Sequence, residues 1–269
     1  MKKGSLAFIG LGLYDEKDVT LKGLEIIKES DKAFAEFYTA KLVGTTIEKL
    51  EELFDTKIIV LNREQTEKGD IIIDSALTQN VVFLTAGDSI TATTHIDLRI
   101  RAIKKGIKTR VIHSSSIVTA VPGLLGLQNY KFGRTTTLAY PEGDYFPTSQ
   151  YDVIRDNKKM GLHTMVLLDI QADKKRYMTA NDAMNLLLEM EDVKKEKLLT
   201  KDSIVCVVAC AGSEEPVVRA GTMKELKEIE FGSPLHTIVI PGKLHFMEIE
   251  ALTVLAQLPA YLGEKLQKI

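Results

Sequence analysis

The chain has 269 residues, 45% of them hydrophobic and 27% charged, with a formal net charge of −2, which is ordinary globular material long enough for one large α/β domain or two of usual size. Acidic and basic residues balance in both halves, which argues against a sequence-independent grip on nucleic acid, and no apolar run approaches the ~20 residues of a membrane span. The lysines at the start precede only a short apolar run, Leu6–Leu13, with no small-residue cleavage pattern, so a soluble cytoplasmic protein is expected.

Leu6–Ile9 reads as a first strand and Gly10–Tyr14 as the turn leaving it, with Thr20 placed to cap a helix over Leu21–Glu29. Lys32–Tyr38 returns as a strand. The pair Thr45 and Thr46 caps a helix that carries Ile47, Leu50, Leu53 and Phe54 on one face, a spacing of period 3.6. Lys57–Leu61 is a third strand, Ile71–Leu77 a short helix and Val81–Leu84 a fourth, buried strand. That strand runs into a small-residue turn, Thr85 to Ser89, followed by a helix from about Thr91 to Lys105, ended at Gly106, and a fifth strand at Lys108–Ile112. Such alternation predicts a parallel sheet with helices on both faces. Its strand–turn–helix joints bring backbone N–H groups to the sheet edge where α/β proteins bind ligands.

After His113 the texture changes to Ser114–Ser116 and an apolar, glycine-containing helix through Leu127, and the boundary between two domains, 1–113 and 114–269, is placed here. Strands follow at Thr135–Ala139, Thr164–Asp169, Ser203–Ala209, Val217–Ala220 and Thr237–Ile240, with helices near Ser149–Lys159, Ala180–Glu191 and His245–Leu258. The late strands are too close together for crossovers between all of them, so this second sheet is expected to be mixed. A ligand cleft is expected between the domains. The basic run Arg99, Arg101, Lys104, Lys105, Lys108 and Arg110 reads as a solvated helix face and the loop after it, with a docking patch for a larger partner as the alternative.

Several chemistries lack their residues. A dinucleotide fingerprint at Gly10 and Gly12 requires a third glycine where Asp15 stands. There is no phosphate-binding P-loop and no Gly-x-Ser-x-Gly elbow. The five histidines show no metal-ligand spacing, so no metal is expected. Cys206 and Cys210 sit in an apolar run as core thiols. What remains suits a reaction in which the ligand carries its own leaving group, as in methyl transfer from S-adenosylmethionine, although composition alone does not choose that cofactor. Turns at Gly10–Leu13, Gly87–Thr91 and Ser114–Ile117 are the places to hold it.

Six stretches, Phe8–Thr20, Ala35–Thr39, Gly87–Asp88 with Ala92–His95, Ala139–Gly143, Tyr177–Asn181 and Pro241–His245, resemble archaeal diphthine synthases of the tetrapyrrole-methylase superfamily, in order and over nearly the whole chain. The resemblance implies two αβα domains, a homodimer, and an S-adenosylmethionine-dependent enzyme. Such an enzyme methylates the amino group of a 3-amino-3-carboxypropyl histidine on translation elongation factor 2 to give diphthine. Carried over position by position, the donor contacts are Leu13, Asp88, Thr91, Ser116 and Ile117, joined by Leu168, Ala211 and His236. Taken singly, these residues also suit core, helix-cap or loop roles. The family pattern has proline on either side of Gly-Asp, where this chain has Ala86 and Ser89. No general base is singled out; Asp88, His95, Glu142 and Asp169 are acceptors near strand ends. The loop Tyr140–Pro147 combines acids and aromatics suited to an ammonium product, or merely punctuates the chain. Two other readings stay open: a precorrin-type tetrapyrrole methyltransferase, and a non-catalytic nucleotide-binding module that docks on a translation factor.

Overall fold

The computed structural model describes residues 4–143 and 146–267, in two compact units, Met1–Ile117 and Val118–Ile269. In the first unit the elements are β1 (Ser5–Gly10), α1 (Leu21–Lys28), β2 (Lys32–Glu36), α2 (Ile47–Phe54) and β3 (Ile58–Val60). They continue as α3 (Arg63–Lys68), α4 (Asp70–Ala76), β4 (Asn80–Thr85), α5 (Ile96–Lys104) and β5 (Lys108–Ile112). All five strands are parallel, in the order β3-β2-β4-β1-β5. Because side chains alternate across a strand, the central strands β1, β2 and β4 feed two cores. Ala7, Ile9, Ala33, Ala35, Val82 and Leu84 pack with Ile27, Leu50 and Phe54, whereas Leu6, Phe8, Phe34, Val81 and Phe83 pack with Ile72, Ile73, Leu98 and Ala102. The predicted parallel sheet is therefore present.

Local chemistry sets where these elements stop. Thr20 caps α1 by accepting the Gly23 N–H at 3.1 Å. Strand β2 ends at Glu36, short of the predicted Tyr38, because the Glu36 carboxylate accepts the N–H groups of Tyr38 at 3.0 Å and Thr39 at 3.1 Å. Helix α3, absent from the sequence expectation, opens on a capping box between Asn62 and Gln65. The largest difference is at α5, which begins at Ile96 and not near Thr91. Ala92 adopts a left-handed φ of 57°, and the three neighbouring threonines, β-branched and rich in local hydrogen-bonding options, give the helix little in return.

The second unit opens with α6 (Ile117–Leu125), which begins at the boundary residue, then β6 (Thr136–Leu138), α7 (Ser149–Lys159), β7 (Thr164–Leu168), the small hairpin β8 (Ile170–Gln171) and β9 (Arg176–Tyr177), and α8 (Ala180–Lys194). It closes with β10 (Ile204–Ala209), β11 (Val217–Thr222), α9 (Met223–Leu226), β12 (His236–Ile240), α10 (Phe246–Leu255) and α11 (Ala260–Gln267). The sheet order is β11-β10-β12-β7-β6; the β6–β7 pair is parallel and the other three are antiparallel. This is the predicted mixed sheet. Cys206 is buried within β10, but Cys210 lies past the strand end in a half-exposed turn.

One buried charge cluster staples the second unit. Glu248 on α10 accepts His163 Nε2–H at 3.0 Å, the Gln128 N–H at 3.0 Å and the His245 N–H at 2.8 Å, and pairs with the Lys131 ammonium. The His163 Nδ1 accepts the Gly242 N–H at 3.0 Å, so the neutral ring is satisfied at both nitrogens. Burial alone would raise the Glu248 carboxyl, but these donors bring it down to about 2. A carboxylate lowered from an ordinary value of 4.5 to about 2 adds stability on the order of 3 kcal/mol above pH 4.5, lost as pH falls toward 2. Burial likewise depresses His163 and holds it neutral, so its protonation adds to the loss below pH 6.5. Glu248→Gln is expected to lower the Tm of the second unit at neutral pH and to flatten the acid limb of the stability curve, both read by calorimetry across pH 2–7.

Candidate functional site

At the C-terminal edge of the first sheet, two turns are zipped together. The Leu11 N–H donates to the Thr85 carbonyl at 2.8 Å, and Gly12 and Gly87 exchange both backbone hydrogen bonds, at 3.2 and 2.6 Å. Both glycines have positive φ, 83° and 73°, and a Cβ on Gly10 would come within 2.5 Å of the Gly87 carbonyl oxygen. Glycine is thus required for the close approach, a role separate from the dinucleotide fingerprint. The Asp18 carboxylate accepts the N–H groups of Leu13 at 3.0 Å and Tyr14 at 2.7 Å, which holds Leu13 at the mouth of the first turn.

Asp88 organises the second turn. Its Oδ1 accepts the Ile90 N–H at 3.3 Å and the Thr91 hydroxyl at 3.1 Å; its Oδ2 accepts the Ser114 N–H at 3.2 Å and lies 2.8 Å from His113 Nδ1. Burial by itself would raise this carboxyl, but the bonds from His113, Ile90, Ser114 and Thr91 hold it below the ordinary carboxylate range. The Ser114 hydroxyl in turn donates to the Asp18 carbonyl at 3.2 Å, tying the end of β5 to the first turn. Ala86 and Ser89 are buried. The stiffness that flanking prolines would give comes here from the Gly12–Gly87 bridge on one side and the four bonds of Asp88 on the other.

Of the expected site residues in this unit, Leu13, Asp88 and Thr91 therefore share one sheet edge. Ser116 is buried and Ile117, half-buried, opens α6 just beyond β5. In the second unit Leu168 ends β7, His236 begins β12 and Ala211 follows β10, with Ala209 paired to His236 and Thr237 to Leu167. These three share one end of the mixed sheet. His236 Nδ1 accepts the Ala180 N–H at 3.1 Å, which anchors the start of α8 and leaves the ring proton on Nε2. Burial depresses His236, so it is neutral.

The expected acceptors divide by environment. His95 is buried, 3.6 Å from the fully buried Glu36 and edge-on to Phe83. Asp169 Oδ2 accepts the Tyr140 N–H and the Gln171 side-chain amide, each at 3.1 Å. Glu142 is exposed, 3.9 Å from Lys174. In the loop expected to meet an ammonium, the Tyr140 hydroxyl donates to Asp182 at 3.0 Å and its ring already carries the Arg176 guanidinium at 3.4 Å. Phe146 packs on the core, and Asp144 and Tyr145 lie outside the described residues. Sequence reasoning missed Asp18 and His113. The former is legible as the closing acid of the Asp15–Asp18 capping box; the latter is signalled only by its place at a strand end.

The profile of the Tetrapyrrole (Corrin/Porphyrin) Methylases matches residues 5–227. The diphthine synthase of Methanosphaera stadtmanae is 51% identical over 251 residues, spanning 93% of this chain and 95% of that protein. The diphthine synthase of Methanococcus maripaludis strain C6 is 52% identical over 251 residues, 93% of this chain and 98% of that protein. A crystal structure of diphthine synthase superposes with a TM-score of 0.88 at 39% identity, over 96% of this chain and 98% of that one.

Removal of the Asp88 carboxylate is expected to open the turn locally. In Asp88→Ala, amide exchange at Ile90 and Ser114 should accelerate at least about tenfold, the loss of a bond worth ~1.5–3 kcal/mol, while the amides of β1 and β4 stay protected, as read by hydrogen exchange.

Proposed function

Because the chain belongs to the Tetrapyrrole (Corrin/Porphyrin) Methylases and, within them, to the diphthine synthases, we propose that it transfers methyl groups from S-adenosylmethionine to the amino group of a 3-amino-3-carboxypropyl histidine on translation elongation factor 2. The product is diphthine, and the enzyme acts in diphthamide biosynthesis. The observation that carries this reading is the half-identity to diphthine synthases along 93% of the chain. It is supported by a rigid, glycine-zipped turn at the sheet edge where α/β proteins bind ligands.

When bound, S-adenosylmethionine supplies an electrophilic methyl carbon on a sulfonium whose departure leaves a neutral thioether, so no protein nucleophile is called for. The protein's share is to bind, orient and exclude water. Asp88 holds the turn that presents the Thr91 hydroxyl and the loop backbone, Leu13 lies at the facing turn, and Ser116 and Ile117 follow β5. Leu168 and Ala211 offer apolar surface, and neutral His236 offers an Nε2–H donor. Orientation of this kind can supply up to ~7–11 kcal/mol of barrier lowering, which suits a site without a covalent intermediate. Enzyme and factor meet in the cytoplasm. A homodimer is the assembly we propose, supported by the exposed apolar side chains Phe246, Met247, Val254, Leu255 and Tyr261 on α10 and α11.

Incubation with methyl-labelled donor should place label on elongation factor 2 that carries the unmethylated modification; label entering only a precorrin would overturn the substrate assignment. Titration calorimetry with S-adenosylhomocysteine should show binding, and none to the folded protein would favour the non-catalytic module. Asp88→Ala should weaken that binding about tenfold or more while shifting the ligand-free Tm by only a few degrees.

A further inference from the structure

We propose that His113 is the group that takes the proton from the substrate amine, held for that task by Asp88. This rests on the methyltransferase reading above. An aliphatic amine is mostly ammonium at neutral pH and has no lone pair to offer. One proton must therefore leave before each methyl transfer, and an acceptor within reach of the substrate contributes ~10²–10⁴-fold to such a step.

Other acceptors at the strand ends are poorly placed to do this. The His95 ring is buried against Glu36 and Phe83. Asp88 is itself committed to four donors, and Asp169 to two. His236 is buried, with Nδ1 occupied by the Ala180 N–H. His113 is the reverse case. It follows β5 directly, its side chain is 77% exposed, and its Nδ1 lies 2.8 Å from the Oδ2 of Asp88, a side chain only 8% exposed.

That contact fixes the ring chemically. Asp88 stays ionised, so its oxygen can only accept, and the Nδ1 of His113 must carry the proton. The neutral ring then carries its lone pair on Nε2, the nitrogen that the carboxylate does not engage, in a side chain open to solvent. A buried acid orienting an exposed imidazole through Nδ1 is an arrangement suited to general-base work. Asp88 and Asp18 both lie at this strand end, and the Asp18 carboxylate is committed to the N–H groups of Leu13 and Tyr14. The same Asp88 Oδ2 takes the Ser114 N–H, so the residue that pins the expected donor turn also aims the base.

In the step, Nε2 accepts a proton from the substrate ammonium. The freed nitrogen lone pair forms the new N–C bond to the methyl carbon as the C–S bond breaks, its electrons passing to sulfur. The imidazolium then gives its proton to water before the next transfer.

Three measurements test this. In His113→Gln, kcat toward the elongation factor should fall about 10²-fold or more at neutral pH, with affinity for S-adenosylhomocysteine held within about threefold. The deficit should shrink as pH rises and bulk solvent deprotonates the amine, and added imidazole should partly restore His113→Ala. Long-range ¹H–¹⁵N spectra of the ligand-free wild type should show the neutral His113 ring protonated at Nδ1. Unchanged kcat across pH, a defect lying wholly in donor affinity, or a neutral ring protonated at Nε2 would each overturn the proposal. Failure of the wild-type protein to label the factor would instead overturn the methyltransferase reading.

Discussion

Four hydrogen bonds converge on the Asp88 carboxylate from three places in the chain: its own turn, the end of β5, and the imidazole that follows it. Bonds to an ionised acceptor are roughly twice as strong as neutral ones, and removal of that acceptor leaves N–H groups unmet locally at a half-buried edge. The arrangement works only because Gly12 and Gly87 bring two backbones into bonding distance with φ values that other residues rarely adopt. Turn, strand end and imidazole are thereby set by one anion. The local order of this edge follows from that constraint and not from proline.

Beneath this edge the first sheet changes character within two residues. Phe8, Phe34 and Phe83 form an apolar layer on one face. Two residues further along the same strands stand Gly10, Glu36 and Thr85, in register with one another. Glu36 satisfies the chain leaving β2, and His95 completes the polar layer against Phe83. The apolar layer supplies stability through burial, and the polar layer ends the strands sharply, so that the turns above them start from fixed positions.

The second unit shows the same division of labour with different groups. Its sheet and helices share a large apolar cluster, while two buried histidines act as neutral connectors: His163 joins Glu248 to the chain just after β12, and His236 joins β12 to the start of α8. In each ring the acceptor nitrogen meets a backbone N–H, which settles the tautomer by geometry and not by charge. Ordered strand ends carrying Leu168, Ala211 and His236 follow from those ties.

Periodicity, caps and turn residues were enough to read the alternating order of the first unit and the mixed sheet of the second, because apolar alternation and short connections are local properties of the chain. Motif resemblance supplied the family, since motifs record chemistry that composition does not. Contacts made by residues far apart in sequence were illegible. The start of α5 depended on how the Asp88 turn and the left-handed Ala92 hold residues 88–95. The glycine at position 12 looked like half of a failed fingerprint until its partner, 75 residues away, was seen across a backbone bridge. His113 looked like a boundary marker. Only tertiary structure, by placing the end of β5 beside the turn after β4, could turn its Nδ1 onto a buried carboxylate while its ring stays largely exposed.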